Sequence, residues 1–259
     1  MSRTAVFTAL VLRCRSSGES NSEVTLLTEE EGIIKATLFG GPKSKLRAHC
    51  ASFNTGRVWI YRDKSKDYAK LSDFDVHSWR AGLRELYERS MTAASVAETI
   101  LSSHGGGGGW QTAFNLAVKI LDTLEKADEE LCALLHIQFL WQWAGFSGIQ
   151  PNLENCPECG KDIHEEIMLF SAKDGTAACT NCASDSRFYN PHPALINSDS
   201  SLLQLNPGCR KWLSAVSGLE PSQLHRYSMD KKSFNQAKSL VTAILAGALG
   251  KRLAGWDWK

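Results

Sequence analysis

The sequence has almost no excess charge: 29 Lys and Arg stand against 28 Asp and Glu in 259 residues, a net +1. That excludes a uniformly basic chain of the kind that coats nucleic acid without selection. No apolar run approaches the roughly 18 residues a membrane span needs. The most apolar stretch, Leu131 to Gly148, is interrupted by His136, Gln138 and Gln142. The opening stretch from Met1 stops at Arg13, too short for a signal peptide and without a small-residue cleavage site. A cytosolic location is therefore expected, with the eight cysteines reduced or metal-bound rather than paired as disulfides. No G-x-S-x-G nucleophile elbow occurs, and there is no internal repeat. Gly105 to Gly109 is a run of five glycines without the Lys-Ser/Thr of a phosphate loop, so it reads as a flexible linker. What is present is an ordinary apolar content of 43%, enough for a buried core without disulfide staples.

The near-zero total hides opposed segments. Residues 1–72 hold 12 Lys and Arg against 7 Asp and Glu, whereas residues 73–155 hold 5 against 11. Residues 191–259 are basic again, 9 against 4. The basic N-terminal part reads as β. Val6–Leu12, Val24–Thr28, Ile33–Phe39, about Ser52–Tyr61 and Tyr68–Val76 are rich in strand formers and separated by turn clusters. Gly32 closes the acidic turn Glu29-Glu30-Glu31, and Gly40 to Lys45 reads as a loop. Five short strands fit a small closed barrel, of which the OB barrel is one solution.

After Ser78 the period becomes helical. Leu83, Leu86, Tyr87, Ser90, Ala94, Ala97 and Leu101 fall on one helical stripe. Gln111–Leu124 and Glu129–Ala144 are further helices, the latter apolar on most faces and so expected at the centre. Pro207–Ser217 and Lys231–Gly250 are helical candidates beyond residue 190, with Asp230 as an N-cap.

Cys156-Pro157-Glu158-Cys159 and Cys179-Thr180-Asn181-Cys182 form two C-x2-C pairs separated by nineteen residues. Each pair lets two thiolates reach one ion from a tight turn, and two such turns complete a tetrahedron. Asp174-Gly175 suits a hairpin turn, with Ile167–Phe170 as one strand. This is a zinc-ribbon layout with one structural Zn2+. A zinc deaminase needs an upstream H-x-E, and none precedes the first pair. Cys14, Cys50, Cys132 and Cys209 read as small buried hydrophobes. His164 is a weak alternative ligand and His192 a loop residue.

Lys43, Lys45 and Arg47 alternate, which places them on one side of an extended segment. Arg13 and Arg15 do the same, and Arg57, Arg62, Lys64 and Lys66 gather around a later turn. Phe39, Phe53, Trp59, Tyr61 and Tyr68 are interleaved; most are expected in the barrel core. Cations with aromatics are what single-strand binding requires.

A small β-barrel, a helical domain and a four-cysteine insert within it resemble the RecO family of bacterial recombination mediators. Local stretches agree: Leu26 to Gly32, Gly40 to Lys45, Pro207-Gly208 before a helix, and the long last helix. The resemblance covers most of the chain. The polar stretch after Cys182 is longer than the family pattern, and the five-glycine run departs from it. It implies an OB-fold β-barrel over 1–77 and a helical domain over 78–259 that contains the zinc ribbon at 156–182. It implies a DNA repair protein and not an enzyme, cytoplasmic and nucleoid-associated. Such a protein binds single- and double-stranded DNA and anneals complementary strands. It loads RecA onto strands covered by single-strand-binding protein, together with RecR and in some systems RecF. The helical domain would receive the single-strand-binding protein's C-terminal tail. On this resemblance Arg13, Lys35, Lys43, Lys45, Arg47, Arg57 and Arg62 contact phosphate. Two other classes fit the cysteines: a zinc-ribbon interaction module of the transcription or translation machinery, and a zinc enzyme.

Overall fold

The computed structural model describes residues 4–40, 44–63, 68–104, 109–163, 165–185 and 202–257. Lys43, Lys64, Lys66, His164, His192 and Gly105 to Gly108 lie outside the described residues. The chain divides into two compact units, Met1–Ala133 and Leu134–Lys259.

In the first unit, β1 (Thr4–Ser17), β2 (Asn21–Thr28), β3 (Gly32–Leu38), β4 (Thr55–Asp63) and β5 (Tyr68–Ser78) close a barrel in the order β1-β2-β3-β5-β4. All neighbours are antiparallel except β3 and β5, which pair in parallel. Full closure leaves no sheet edge to aggregate. Alternation along each strand fills the interior: Phe7, Ala9 and Val11 of β1, Val24 and Leu26 of β2, Ile34, Ala36 and Leu38 of β3, then Val58, Ile60, Leu71 and Phe74.

The sequence places Lys45 in an extended loop, but Lys45–His49 is a short helix, α1, between β3 and β4. Its Leu46 packs on the barrel core, and Cys50 just after it is fully buried there. Helical rotation of about 100° per residue then points Lys45 and Arg47 in different directions rather than to one side. The five aromatics also differ from expectation: none of Phe39, Phe53, Trp59, Tyr61 and Tyr68 belongs to the core, and all are exposed or half-buried. Trp59, Tyr61 and Tyr68 occupy outward positions of the alternation, as Trp59 does between buried Val58 and Ile60, and Phe39 and Phe53 lie outside the strands.

The single stripe expected after Ser78 is split. Ala81–Arg84 is a 3-10 turn, Leu86 is extended, and α2 spans Tyr87–Ser102. Arg80 explains the break. Its buried guanidinium donates to Phe53 O and Thr55 Oγ1 at 2.6 Å and to Asp122 Oδ1 at 2.8 Å. That fork ties the barrel to α3 (Trp110–Leu124), and α2 and α3 cover part of the outer face of β1, β2 and β3. Outward-pointing Leu10, Leu12 and Leu27 are thereby fully or almost fully buried.

α4 (Glu129–Phe146) continues into the second unit. The polar residues that interrupt its apolar run have defined tasks. Gln138 Nε2 donates to Leu219 O, Gln142 Nε2 to Val216 O and Leu219 O, and Trp141 Nε1 to Ser217 Oγ. They tie α4 to the last residue of α6 (Pro207–Val216) and to the turn at 217–219 that follows it. The last long helix, α7 (Lys231–Leu249), starts on Asp230, whose carboxylate accepts from the Lys232 and Ser233 N–H groups at 3.0 Å. It stops at Gly250, with φ +66°.

His136 of α4 is fully buried, and burial first, then Lys238 of α7, lower its imidazole pKa from 6.5 to about 3. Between those values the unfolded chain binds a proton that the folded chain refuses, so stability falls as pH falls. The expected loss is about 2 kcal/mol between pH 6.5 and pH 5, at about 1.4 kcal/mol per unit. Urea unfolding of wild type and His136→Gln across this range checks it, with a shallower pH slope expected in the variant.

Residues 168–205 give a small sheet. β6 (Met168–Ser171) and β7 (Thr176–Cys179) form the expected hairpin, in register from Met168 opposite Cys179 to Ser171 opposite Thr176. A third strand, β8 (Leu202–Leu205), pairs with the other side of β6 to give the order β7-β6-β8. Sequence periodicity gives only helices beyond residue 190. This four-residue strand is set by distant pairing with β6 and has no local signature.

Candidate nucleic-acid interface and metal centre

The four cysteines converge. Cys156 leaves the bridge formed by Asn155 and Asp162, and its N–H donates to Lys161 O at 2.8 Å. The Gly160 N–H returns to Cys156 O at 2.8 Å, and Gly160 has φ +71°, so the first pair sits on a tight knuckle that favours glycine. The second pair bridges the end of β7 and the first turn of α5 (Thr180–Asp185), which brings Cys179 and Cys182 to the same point. All four Sγ atoms lie within 4.8 Å of one another, with Cys159 and Cys179 at 3.9 Å. A tetrahedral zinc with Zn–S bonds of about 2.3 Å requires sulfurs about 3.8 Å apart. The donor set therefore fits a soft divalent ion.

The electrostatics agree with ligation. Burial is the main cause that pushes the scattered thiols of Cys50 and Cys209 up to about 12 and of Cys132 to about 11, with smaller contributions from neighbouring charges. Burial also acts to raise Cys156, but N–H groups led by that of Cys179 (3.3 Å) outweigh it and bring the thiol down to about 6. Hydrogen bonds to Cys159 and Cys179, with burial, hold Cys182 in its thiol form. Four thiolates cannot share so small a space without a cation, and a cation supplies what the protein's own groups lack. The two pairs fill all four tetrahedral positions, which suits a structural site rather than one with an open position for water.

Arg210 of α6 carries this centre. Its guanidinium is almost wholly buried and donates to Leu153 O at 2.7 Å and to the carbonyls of Ile163 and Glu166. These carbonyls flank the first knuckle on both sides. The sequence offers no sign of this role, because an arginine two residues after Gly208 reads as a helix surface residue.

On the barrel, cross-strand register sets the cations. Arg13 faces Thr25 across β1 and β2, and Thr25 faces Lys35 across β2 and β3, so the three form one row on the outer face. Arg15 stands beside it, opposite Glu23. Among the described residues no ion pair engages Arg13, Arg15 or Lys35. Lys45 and Arg47 lie apart on α1, both exposed. Arg57 is exposed on β4 opposite Asp75. Arg62 is engaged already: it pairs with Glu31 at 2.7 Å and stacks 5.0 Å from the Phe7 ring centroid. The register thus joins Arg13, Lys35 and Arg15 and leaves the other cations distributed.

One further cation has no local signal in the sequence. Lys70 of β5 faces Thr37 of β3, and its ammonium lies 5.5 Å from the centroid of Phe39, itself 6.2 Å from Tyr68. An exposed aromatic pair with a lysine is a platform for a base and its phosphate. Only the parallel pairing of β3 with β5, invisible in local sequence, assembles it.

The family models Recombination protein O N terminal and Recombination protein O C terminal match residues 1–79 and 84–257 respectively. The chain belongs to the RecO family. Among its relatives is the DNA repair protein RecO of Rubrobacter xylanophilus, 30% identical over 68% of this chain and 70% of that protein. RecO of Desulforamulus reducens is 25% identical over 95% of this chain and 90% of its own. RecO of Anaeromyxobacter dehalogenans is 28% identical over 96% and 93%. These RecO proteins are DNA repair proteins by name, and DNA repair is the broad role indicated here. No helix among the described residues is long and apolar enough to cross a membrane.

Proposed function

We propose that this chain is a recombination mediator that binds single- and double-stranded DNA on the outer face of its barrel and anneals complementary strands. The observation that supports this most is the row of Arg13 and Lys35, which has no ion pair among the described residues, extended by Arg15 and flanked by the Phe39–Tyr68–Lys70 platform. Annealing requires that phosphate repulsion between two strands be relieved while their bases stay free to pair. A cationic β-face does that without any catalytic residue. Lys43, Lys45, Arg47, Arg57 and Arg62 extend phosphate contact around the barrel.

In this reading the barrel (1–77) holds DNA and the helical domain (78–259) holds partner proteins. Cys156, Cys159, Cys179 and Cys182 bind one Zn2+ that staples the ribbon (156–182). Together with RecR, and in some systems RecF, the protein loads RecA onto strands covered by single-strand-binding protein, whose C-terminal tail docks on the helical domain. It works in the cytoplasm at the nucleoid.

Annealing of complementary oligonucleotides by the purified protein across a salt series tests this. The protein should accelerate annealing, and its affinity for a single strand should fall log-linearly with salt. Arg13→Gln with Lys35→Gln should lower that slope by about 1.4, at about 0.7 for each phosphate no longer neutralised. An unchanged slope removes the row from the interface. Metal dependence without annealing or salt-sensitive DNA binding would favour a zinc-ribbon interaction module instead.

A further inference from the structure

We infer that the cleft beside the Arg13–Lys35 row takes one unpaired nucleotide of a DNA strand, base inward, and so favours single strands over duplex. This rests on the DNA-binding reading above and adds to it the substrate form and the residues that select it. The cleft lies within the first unit, where the α2 and α3 cover on the β1–β2–β3 face stops. Its cavity is about 490 Å³, within the range of about 300–1,000 Å³ typical of small-molecule sites.

The lining of the cleft is chemically mixed. Arg13, Arg15 and Lys35 line it from the barrel strands β1 and β3. Leu101 from the last turn of α2, His104 just beyond that helix and Trp110 from the start of α3 line it as well, with Ile33 of β3 as an apolar neighbour. Trp110 lies against the barrel. Its ring lies so close to Gly32 that a Cβ there would fall 2.4 Å from Trp110 Cδ2, and Gly32 also has φ +73°. The indole therefore packs directly on the backbone at the start of β3, where the turn from β2 ends.

An inorganic anion would use only the cationic residues. A flat heterocycle joined to a phosphate uses these and the apolar ones: phosphate toward Arg13 and Lys35, ring against Trp110, His104 and Ile33. Two carboxylates share the cleft, and they sharpen the assignment. Glu31 is already held by Arg62, but Glu23 has no salt bridge among the described residues. A carboxylate only accepts hydrogen bonds, and base edges carry N–H donors that a second phosphate lacks. A paired base presents neither its face nor its Watson–Crick edge, so duplex reaches the rim cations alone. The five-stranded barrel could bind either form by charge; residues outside it make the distinction.

The test compares three fluorescent probes of equal length on the full-length protein: a single strand, the same strand with abasic sites, and a duplex. Trp110→Ala should weaken the single strand roughly 5- to 150-fold, the range for loss of one stacked base, and leave the other two within about twofold. His104→Gly provides a second variant that suits its backbone, because His104 has φ +54°, and it should give a smaller loss on the single strand only. In the unmodified protein, a strand carrying halogenated uracil should photocrosslink to Trp110 or His104. Equal losses on all three probes, or crosslinks confined to Phe39 and Tyr68, overturn the inference while leaving barrel DNA binding intact. Failure of the wild-type protein to bind any probe overturns the DNA-binding reading itself.

Discussion

Replacing Cys156 and Cys179 with Ala is expected to abolish binding of one zinc equivalent and to unfold the ribbon. Each knuckle loses one of its two thiolates, so neither pair retains a bidentate grip. The ribbon's sheet is small: β6, β7 and β8 have four residues each, which is marginal without a further crosslink. Structural zinc in small domains contributes about 10–16 kcal/mol of apparent binding free energy, and that energy is folding energy. Metal content by mass spectrometry should fall from one equivalent to none, and proteolysis should open the segment between Leu153 and Asp185. Retention of the full equivalent would falsify the ligand assignment. The same treatment should leave the first unit's thermal transition nearly unchanged, because its barrel core contains none of the four ligands.

Arg210→Ala should destabilise the second unit by about 3–5 kcal/mol. The lost guanidinium satisfies three carbonyls, those of Leu153 and Ile163 in buried bonds and that of Glu166 in a half-buried one. Leaving a buried carbonyl without a donor costs about 1–3 kcal/mol, and partial relaxation keeps the total below the full sum. Burial first acts to lower the pKa of Arg210, with Cys209, Glu165, Asp162 and Glu166 opposing, and arginine is the side chain that keeps its charge under that pressure. Arg210→Lys should recover only part of the loss, since an ammonium cannot span three acceptors placed for a planar fork. Denaturant unfolding followed by the near-ultraviolet signal of Trp212, two residues away on α6, measures both. Metal affinity should fall with Arg210→Ala even though no ligand is touched, because the first knuckle loses its support on both sides. A variant as stable as wild type would show that solvent reaches those carbonyls.

The fold and the two sites differ in how far sequence reveals them, and the reason is the range of the interactions. The five barrel strands follow from two-residue alternation and turn residues, which are local. The four-cysteine cluster follows from C-x2-C spacing, also local. α1 is missed because five residues with one apolar anchor carry almost no periodic signal. The split before α2 is missed because Arg80 makes it, and its partners Phe53, Thr55 and Asp122 are 25 to 42 positions away. β8 is missed because its pairing with β6 spans a long connection. The outward placement of Trp59, Tyr61 and Tyr68 depends on strand phase. A shift of one residue moves every side chain to the other face, and composition does not fix that phase.

Sequence by itself therefore determined the five barrel strands and the long helices, the acidic and basic segments behind a net charge of +1, and the four clustered cysteines. It could not determine which cations act together. Lys45 and Arg47 are neighbours in sequence and diverge on a helix. Arg13 and Lys35 are 22 residues apart and meet across β2. Lys70 reaches Phe39 only through a parallel strand pair, and Trp110 reaches Gly32 only because α3 packs on the barrel. Charge and stacking act over a few ångströms of space, whatever the distance along the chain. Barrel closure and helix docking thus decided which cations and aromatic rings the chain presents side by side.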